Sequence, residues 1–139
     1  MGKLHNIVNV DNVETQKFDW GILQWLSEPR VTGADHMVTG IVTLEPGKGH
    51  ARHNHPDCAE VLYVLEGSGE QGIYDDDDKL TTTRVTKGDL IYLKPSQFHS
   101  TINTGKDKMV ILAVYQFTGP EAAMRADPAV TLIAAPKPL

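Results

Sequence analysis

Histidine and glutamate recur at short intervals in the segment between Gly47 and Gly67. His53 and His55 are separated by one residue, and Glu60 follows after a proline-containing turn. Alternate residues of an extended segment face the same side, so both imidazoles can reach one metal ion from a single strand edge. Glu60 opens the next predicted strand and can bring a carboxylate to that side. These residue types and spacings therefore indicate a metal site.

A second segment, between Gly88 and Asn103, supplies a fourth group, His99. On a strand, His99, Thr101 and Asn103 line one face. Three neutral imidazoles and one carboxylate leave a divalent ion with a local charge of +1 and, in octahedral geometry, two open positions. Catalytic metal sites need open positions, whereas structural sites lack them.

The elements that must position these groups are short strands. Residues 37–118 alternate β-rich runs with turn signals, which predicts an all-β sandwich or barrel. If Glu60 faces inward, alternation places Leu62 and Val64 inside as well. The predicted strands, the last two forming a hairpin around an acidic turn, are Met37–Leu44, Ala59–Glu66, Asp89–Leu93, Lys108–Phe117, Gly69–Tyr74 and Leu80–Val85.

Both ends of the chain are apolar and are expected to extend this barrel. We predict one domain over residues 1–139, with N-terminal strands in 1–36, a barrel core in 37–118 and a C-terminal segment in 119–139. Trp20 and Trp25 are five residues apart. On an ideal strand they face opposite sides, one toward the barrel and the other toward a partner subunit. The C-terminal segment predicts a short helix and an extended tail that docks on its own barrel or on a neighbour.

The two segments resemble the motifs of the cupin superfamily. The first motif, G-x5-H-x-H-x4-E-x6-G, is matched at every position by Gly47, His53, His55, Glu60 and Gly67. The second, G-x5-P-x-G-x2-H-x3-N, is matched at Gly88, His99 and Asn103, whereas Lys94 and Ser96 replace its proline and glycine.

This resemblance implies a double-stranded β-helix, or jelly-roll barrel, with a metal ion in its mouth. It carries over His53, His55, Glu60 and His99 as metal ligands. An alternative is a member that has kept the barrel and lost the metal. The donor set suits Fe, Mn, Ni, Co or Zn. Polar candidates for the pocket are Arg30, Gln71, Tyr92, Gln97, Thr101, Asn103 and Tyr115, and none is assigned as a general acid or base.

Composition and charge exclude several functional classes. The 139 residues carry a formal net charge of -5 without a basic stripe, so nucleic acid is not expected as a partner. No apolar run approaches the roughly 20 residues that span a bilayer. The chain start lacks the regions of a signal peptide, and a single cysteine cannot form an internal disulfide, so we expect a cytoplasmic protein.

Three residue groups receive a structural interpretation. His50 is interpreted as a solvated loop histidine, and Cys58 as a packed thiol. The acidic run Asp75–Asp78 is interpreted as a solvated hairpin tip, because consecutive acids lack the alternating spacing of a calcium loop.

Three functions remain open for the predicted site. The first is a metalloenzyme that polarises a small oxygenated substrate, of dioxygenase or oxidase, isomerase, or lyase or decarboxylase type. The second is a non-catalytic binding or sensor protein for a small ligand, and the third is a structural metal site. The apolar chain ends, together with the cupin resemblance, predict a homodimer.

Overall fold

In the computed structural model, residues 3–139 form eleven β-strands, arranged in two antiparallel sheets, and one short α-helix. Met1 and Gly2, which begin the predicted N-terminal segment, lie outside the described residues. The strands are β1 (Thr15–Phe18), β2 (Gly21–Ser27), β3 (Val38–Leu44), β4 (Gly49–His53), β5 (Glu60–Glu66), β6 (Ser68–Tyr74), β7 (Leu80–Thr86), β8 (Leu90–Leu93), β9 (His99–Ile102), β10 (Met109–Tyr115) and β11 (Thr131–Ile133). The helix α1 spans Pro120–Ala126, and a 3-10 turn spans Val10–Asn12.

The larger sheet has seven strands in the order β11-β1-β2-β3-β10-β5-β8, and the smaller has four in the order β4-β9-β6-β7. All neighbouring strands in both sheets pair antiparallel. The predicted all-β jelly-roll is confirmed, and each predicted strand ends within two residues of its prediction. This accuracy reflects the turn residues, because glycine, proline and aspartate interrupt the apolar runs where the strands end.

Strand β5 has the predicted alternation of faces. Glu60, Leu62 and Val64 are buried, while the residues between them face outward. The same alternation on β10 and β3 adds alternate aliphatic side chains to one hydrophobic core. The carboxylate of Glu60 therefore enters the apolar interior on the same face as the core side chains, which makes it a candidate for a buried interaction.

The chain ends add three strands and a short helix to the barrel core. Strands β1 and β2 extend the larger sheet beside β3, and β11 pairs with β1 of its own chain. Of the two predicted docking modes for the tail, the structure has the first, and Leu132 and Ile133 stay exposed at this sheet edge. The predicted homodimer stays a prediction. Within residues 3–139, no helix has the length and apolar character needed to cross a membrane.

The expectation that Trp20 and Trp25 face opposite sides is wrong. Trp25 lies on β2 and is buried, but Trp20 lies in the turn before β2, where strand alternation does not apply. Trp20 stacks on Phe18, with ring centroids 4.9 Å apart. Both indoles consequently border the same internal cavity.

Two motif glycines adopt left-handed backbone conformations but differ in their surroundings. Gly67, between β5 and β6, has φ +81°, and a Cβ there would lie 2.8 Å from the Lys108 carbonyl oxygen. Gly88, before β8, has φ +97° and no atom within 4 Å of such a Cβ. Gly67 is thus constrained by both conformation and space, Gly88 by conformation alone.

We expect Gly88→Ala to lower the free energy of unfolding by about 1 kcal/mol through backbone strain alone. Gly67→Ala should lower the free energy of unfolding by at least about 2 kcal/mol, because the backbone at Lys108, just before β10, must also shift. Urea unfolding of the two variants measures the difference. Equal losses would contradict the close approach at Gly67.

Candidate metal centre

The candidate ligands come from both sheets. His53 ends β4 and His99 begins β9, and the antiparallel pairing of these strands sets the two residues directly opposite each other. Glu60 is the first residue of β5, and His55 lies in the loop that joins β4 to β5. The strand that was expected to carry both His53 and His55 ends at His53, so a loop, and not strand alternation, brings His55 to the site.

The loop that carries His55 is held by Ser96, the residue that replaces the glycine of the second motif. Ser96 has φ +65°, so it adopts the left-handed conformation that glycine favours. Its backbone N–H donates to the His55 carbonyl oxygen at 3.1 Å, and its hydroxyl accepts from the Asp57 N–H at 3.1 Å. The departure from the motif therefore keeps the turn and adds a hydrogen bond to the ligand loop.

The four side chains converge on one point. The metal-binding atoms of His53, His55 and His99 lie within 4.8 Å of one another. The Glu60 Oε2 atom lies 3.4 Å from the His55 Nε2 atom and 3.4 Å from the His99 Nε2 atom. Nitrogen and oxygen ligands at about 2.1 Å from one ion lie about 3–4 Å apart. The four groups need only small adjustments to share an ion.

Backbone carbonyls orient two of the imidazoles. The Nδ1 atom of His53 lies 2.7 Å from the Ala51 carbonyl oxygen, and that of His99 lies 2.9 Å from the Gln97 carbonyl oxygen. A carbonyl only accepts hydrogen bonds, so these Nδ1 atoms carry the proton and their Nε2 atoms present a lone pair. Metal-binding histidines are oriented in this way in proteins.

Three buried polar atoms at the centre have no hydrogen-bond partner: Nε2 of His55, Nε2 of His99 and Oε2 of Glu60. An unsatisfied buried polar atom costs about 1–3 kcal/mol. A cavity of about 20 Å³, large enough for one ion or water molecule, lies among His53, Glu60, His99 and Thr101. Unpaired lone pairs around a space of this size fit a bound cation.

The protonation states also fit a cation. Burial lowers the pKa of His53 and of His55. Burial alone would raise the pKa of Glu60, but the adjacent imidazoles of His99 and His55, each with its Nε2 atom 3.4 Å from Oε2, hold that pKa below its usual value. Neutral imidazoles beside an ionised carboxylate are the forms that bind a divalent metal.

A second cavity of about 400 Å³ adjoins the first, and His50, His53, Val42 and Tyr115 border both. Its far wall is formed by β2, by the turn that carries Trp20 and by α1. Arg125 fastens α1 in place by donating to Glu28 Oε2 at 2.6 Å and to Glu14 Oε1 at 3.1 Å. The N-terminal strands and the C-terminal helix therefore complete the pocket beside the barrel mouth.

Two of the predicted pocket residues lie at the site. Thr101 borders the small cavity and donates to the Gln71 side chain at 2.6 Å, so Gln71 supports it from behind. Tyr115 borders both cavities, with its ring centroid 5.2 Å from that of His55. Burial, with the charge of Glu60, raises the pKa of Tyr115 well above its usual value, so the phenol stays neutral.

The other predicted pocket residues lie elsewhere. Asn103 is fully buried and donates to the Leu44 and Asp107 carbonyls, so it closes a turn. Tyr92 is 58% exposed, because strand alternation turns it outward on β8. Gln97 binds the Lys94 and Tyr74 backbones at an outer surface. Arg30 borders a different cavity, near Glu28.

His50 was wrongly interpreted as a solvated loop histidine. It lies on β4, and its Nε2 atom is buried without a hydrogen-bond partner among residues 3–139. Its ring packs edge-on against Trp20, with ring centroids 4.4 Å apart. His50 opposes Thr101 and His53 opposes His99, so β4 has one extra residue between the two pairs. This bulge turns His50 and His53 to the same side, although residues three apart normally face opposite sides. No spacing rule predicts a bulge.

The remaining structural interpretations fare better. Cys58 is a buried free cysteine, as predicted. The acidic run forms the β6–β7 turn, in which Asp75 accepts from the Asp77 and Lys79 N–H groups. Its tip is solvated, as predicted: Asp76 and Asp78 are exposed, although they also pair with Lys94 and Arg52.

We expect the metal-free protein to lose stability as the pH falls from 6.5 to 4. Burial lowers the pKa of His50 to about 4 from an ordinary 6.5, so the unfolded chain binds a proton in this range that the folded chain does not. The penalty approaches about 3 kcal/mol for this residue. Urea unfolding of chelator-treated protein at pH 7 and pH 4.5 should show a smaller loss for His50→Gln than for the parent. His36→Gln, at an exposed position, should lose as much stability as the parent. If His50→Gln also loses as much as the parent, the lowered pKa of His50 is contradicted.

Comparison with known proteins gives a family match. The model of the cupin domain family matches residues 40–115. This match confirms the resemblance inferred from the two motifs and covers every candidate ligand.

Individual relatives match different shares of the chain. A glucose-6-phosphate isomerase of Thermococcus kodakarensis is 32% identical over 68 residues, which are 49% of this chain and 35% of the isomerase. Germin-like protein subfamily 2 member 2 of Arabidopsis thaliana is 32% identical over 103 residues, covering 67% of this chain and 47% of that protein. This chain thus spans about a third to a half of the length of these relatives.

Among solved structures, oxalate decarboxylase from Bacillus subtilis superposes with a TM-score of 0.66 at 20% identity. The superposition covers 79% of this chain and 32% of the decarboxylase chain. At this level of identity, the likeness shows a common fold.

Proposed function

Since the chain belongs to the cupin domain family, we propose that it is a metalloenzyme that holds one divalent transition-metal ion through His53, His55, Glu60 and His99. The observation that carries this proposal is the convergence of unpartnered, buried ligand atoms beside an open cavity. A structural metal site would be closed by protein on all sides, whereas this one adjoins a space of about 400 Å³.

The donor set narrows the metal to a class. Imidazole nitrogens and a carboxylate suit Fe, Mn, Ni, Co or Zn, and the absence of a thiolate among the four argues against a site for softer ions. When bound, such an ion supplies a Lewis acid that polarises oxygen atoms of a substrate. The three histidines and Glu60 hold it at the border between the barrel interior and the pocket.

The protein residues around the ion orient the substrate and exclude water. Tyr115 and His50 border the pocket as neutral hydrogen-bonding groups. The walls from β2 and α1 are apolar and limit the access of water. An isomerase and a decarboxylase among the similar proteins support a reaction on a small oxygenated substrate, by isomerisation, decarboxylation or dioxygen insertion.

A non-catalytic sensor or binding protein is the second candidate. General acid–base catalysis favours groups whose pKa lies near the working pH. His50 has a pKa of about 4 and that of Tyr115 is raised well above its usual value, so neither is poised near neutrality. Binding without turnover requires no such group.

We expect His53→Ala with His55→Ala to lose its metal while the barrel still folds. Protein purified without chelator should contain about one ion per chain in the parent and almost none in the variant. Elemental analysis and circular dichroism measure the two properties. His36→Ala, an exposed histidine outside the centre, is the matched control and should keep its metal. Unchanged metal content in the double variant would refute the ligand assignment.

Turnover under different atmospheres and metals separates the reaction classes. An oxidase or dioxygenase should consume oxygen with a diol or keto acid when Fe or Mn is bound, and should stop under nitrogen. An isomerase or decarboxylase should continue under nitrogen and with Zn or Ni. Product formation is followed by mass spectrometry. Ligand binding without product under every metal would favour the sensor.

A further inference from the structure

The lining of the cavity beside the candidate metal centre is apolar except at the end that faces the ion, and the cavity is partly open to solvent. Its walls are the side chains of Trp20, Leu23, Trp25, Val42, Ala123 and Met124. The polar side chains that border it are His50, His53, His55 and Tyr115, which all lie at the metal end. A ligand in this cavity would therefore meet polar groups at one end and hydrocarbon along the rest of its length.

Charged side chains do not border this cavity in the part of the chain that the structure describes. Recognition of a phosphate or a free carboxylate ordinarily uses arginine or lysine. The nearest arginine on the wall-forming helix, Arg125, is engaged by Glu14 and Glu28. A phosphorylated sugar or a small dicarboxylate would place its outer anionic group beside tryptophan and methionine, with no cation in the lining to pair with it.

The volume and the buried polar atoms suggest the shape of the ligand. About 400 Å³ falls within the range of pockets that enclose most of a drug-sized molecule, roughly 300–1,000 Å³. The Nε2 atom of His50, at the border of both cavities, is buried without a partner. A ligand whose polar head lies at the ion can provide that partner while its body fills the apolar space.

We propose that the substrate or ligand is an amphipathic small molecule, with two adjacent oxygen donors on an uncharged aromatic or branched aliphatic body. This inference rests on the proposed metal site. The donors bind at the ion, within reach of His50, and the body lies against the indoles of Trp20 and Trp25 and the α1 side chains. Tryptophan faces and a methionine sulfur make favourable contacts with aromatic rings.

Hydroxamates test the metal-binding head and the apolar body of the ligand separately. They share one O,O-chelating group, so differences in their affinities come from the rest of the molecule. The protein is loaded with Co²⁺, and acetohydroxamate, benzohydroxamate and 4-carboxybenzohydroxamate are titrated by calorimetry and by the visible spectrum of the ion. Burial of the ring should make benzohydroxamate bind at least about 30-fold more tightly than acetohydroxamate. The added carboxylate should remove most of that gain. Titration of free Co²⁺ with the same compounds corrects for the chelating head.

Two variants of α1 test whether the benzohydroxamate ring binds in the cavity. Ala122 and Ala123 are both exposed, but only Ala123 borders the cavity. Ala123→Glu should weaken benzohydroxamate binding by at least about tenfold and leave acetohydroxamate binding unchanged. Ala122→Glu, which adds the same charge one residue away, should leave the affinities of both compounds unchanged.

The outcomes separate this inference from the metal site itself. Acetohydroxamate binding without a gain from the ring, or equal effects of the two variants, would overturn the apolar ligand and leave the metal centre standing. Failure of every hydroxamate to bind, or removal of the cobalt from the protein by the ligand, would overturn the open metal site and the inference together. Cobalt analysis of the desalted complexes detects that removal.

Discussion

The antiparallel pairing of β4 with β9 sets His53 opposite His99, and the geometry of the metal centre depends on this register. Side chains alternate along a strand, so a slip of one residue would turn His99 and Thr101 away from the interior. The bulge in β4 adds His50 to the same side. Glu60 reaches the other side of the centre because β5 begins there with its first side chain inward. Backbone hydrogen bonds thus fix where the ligand atoms meet.

Burial of the candidate ligand atoms favours the binding of a cation and lowers the stability of the metal-free fold. Within residues 3–139, Nε2 of His55 and His99 and Oε2 of Glu60 have no hydrogen-bond partner, so each weakens the metal-free state. The carbonyls of Ala51 and Gln97 hold His53 and His99 with their lone pairs toward the centre. Side chains that are oriented before binding lose little entropy when an ion arrives. The empty barrel therefore carries a local instability, which an ion bound as proposed would relieve.

The wall of the larger cavity comes from elements outside the strands that carry the candidate metal ligands. Strand β2, the turn at Trp20 and helix α1 form the wall of the larger cavity. Ion pairs of Arg125 with Glu14 and Glu28 hold α1 against the N-terminal segment. These pairs neutralise the Arg125 guanidinium, which could otherwise face the pocket. The same barrel with a different wall would accept a different ligand, as expected where function resides in sites built on a common fold.

Motif spacing predicted the four candidate ligand side chains, apolar runs bounded by turn residues predicted the strands, and the cupin resemblance predicted the jelly-roll. Local rules suffice for the strands, because alternation and turn residues act within a few positions of the chain. The same rules failed for His50 and Trp20, because a bulge and a turn decide where those side chains lie. Tyr92 lies outside the pocket because alternation turns it outward on β8. Ser96 shows that a left-handed turn persists without its glycine. The sequence by itself determined the donor set and the barrel, whereas only the tertiary structure decided the apolar wall. That wall joins both chain ends to the middle of the sequence, and no local pattern encodes contacts between segments so far apart.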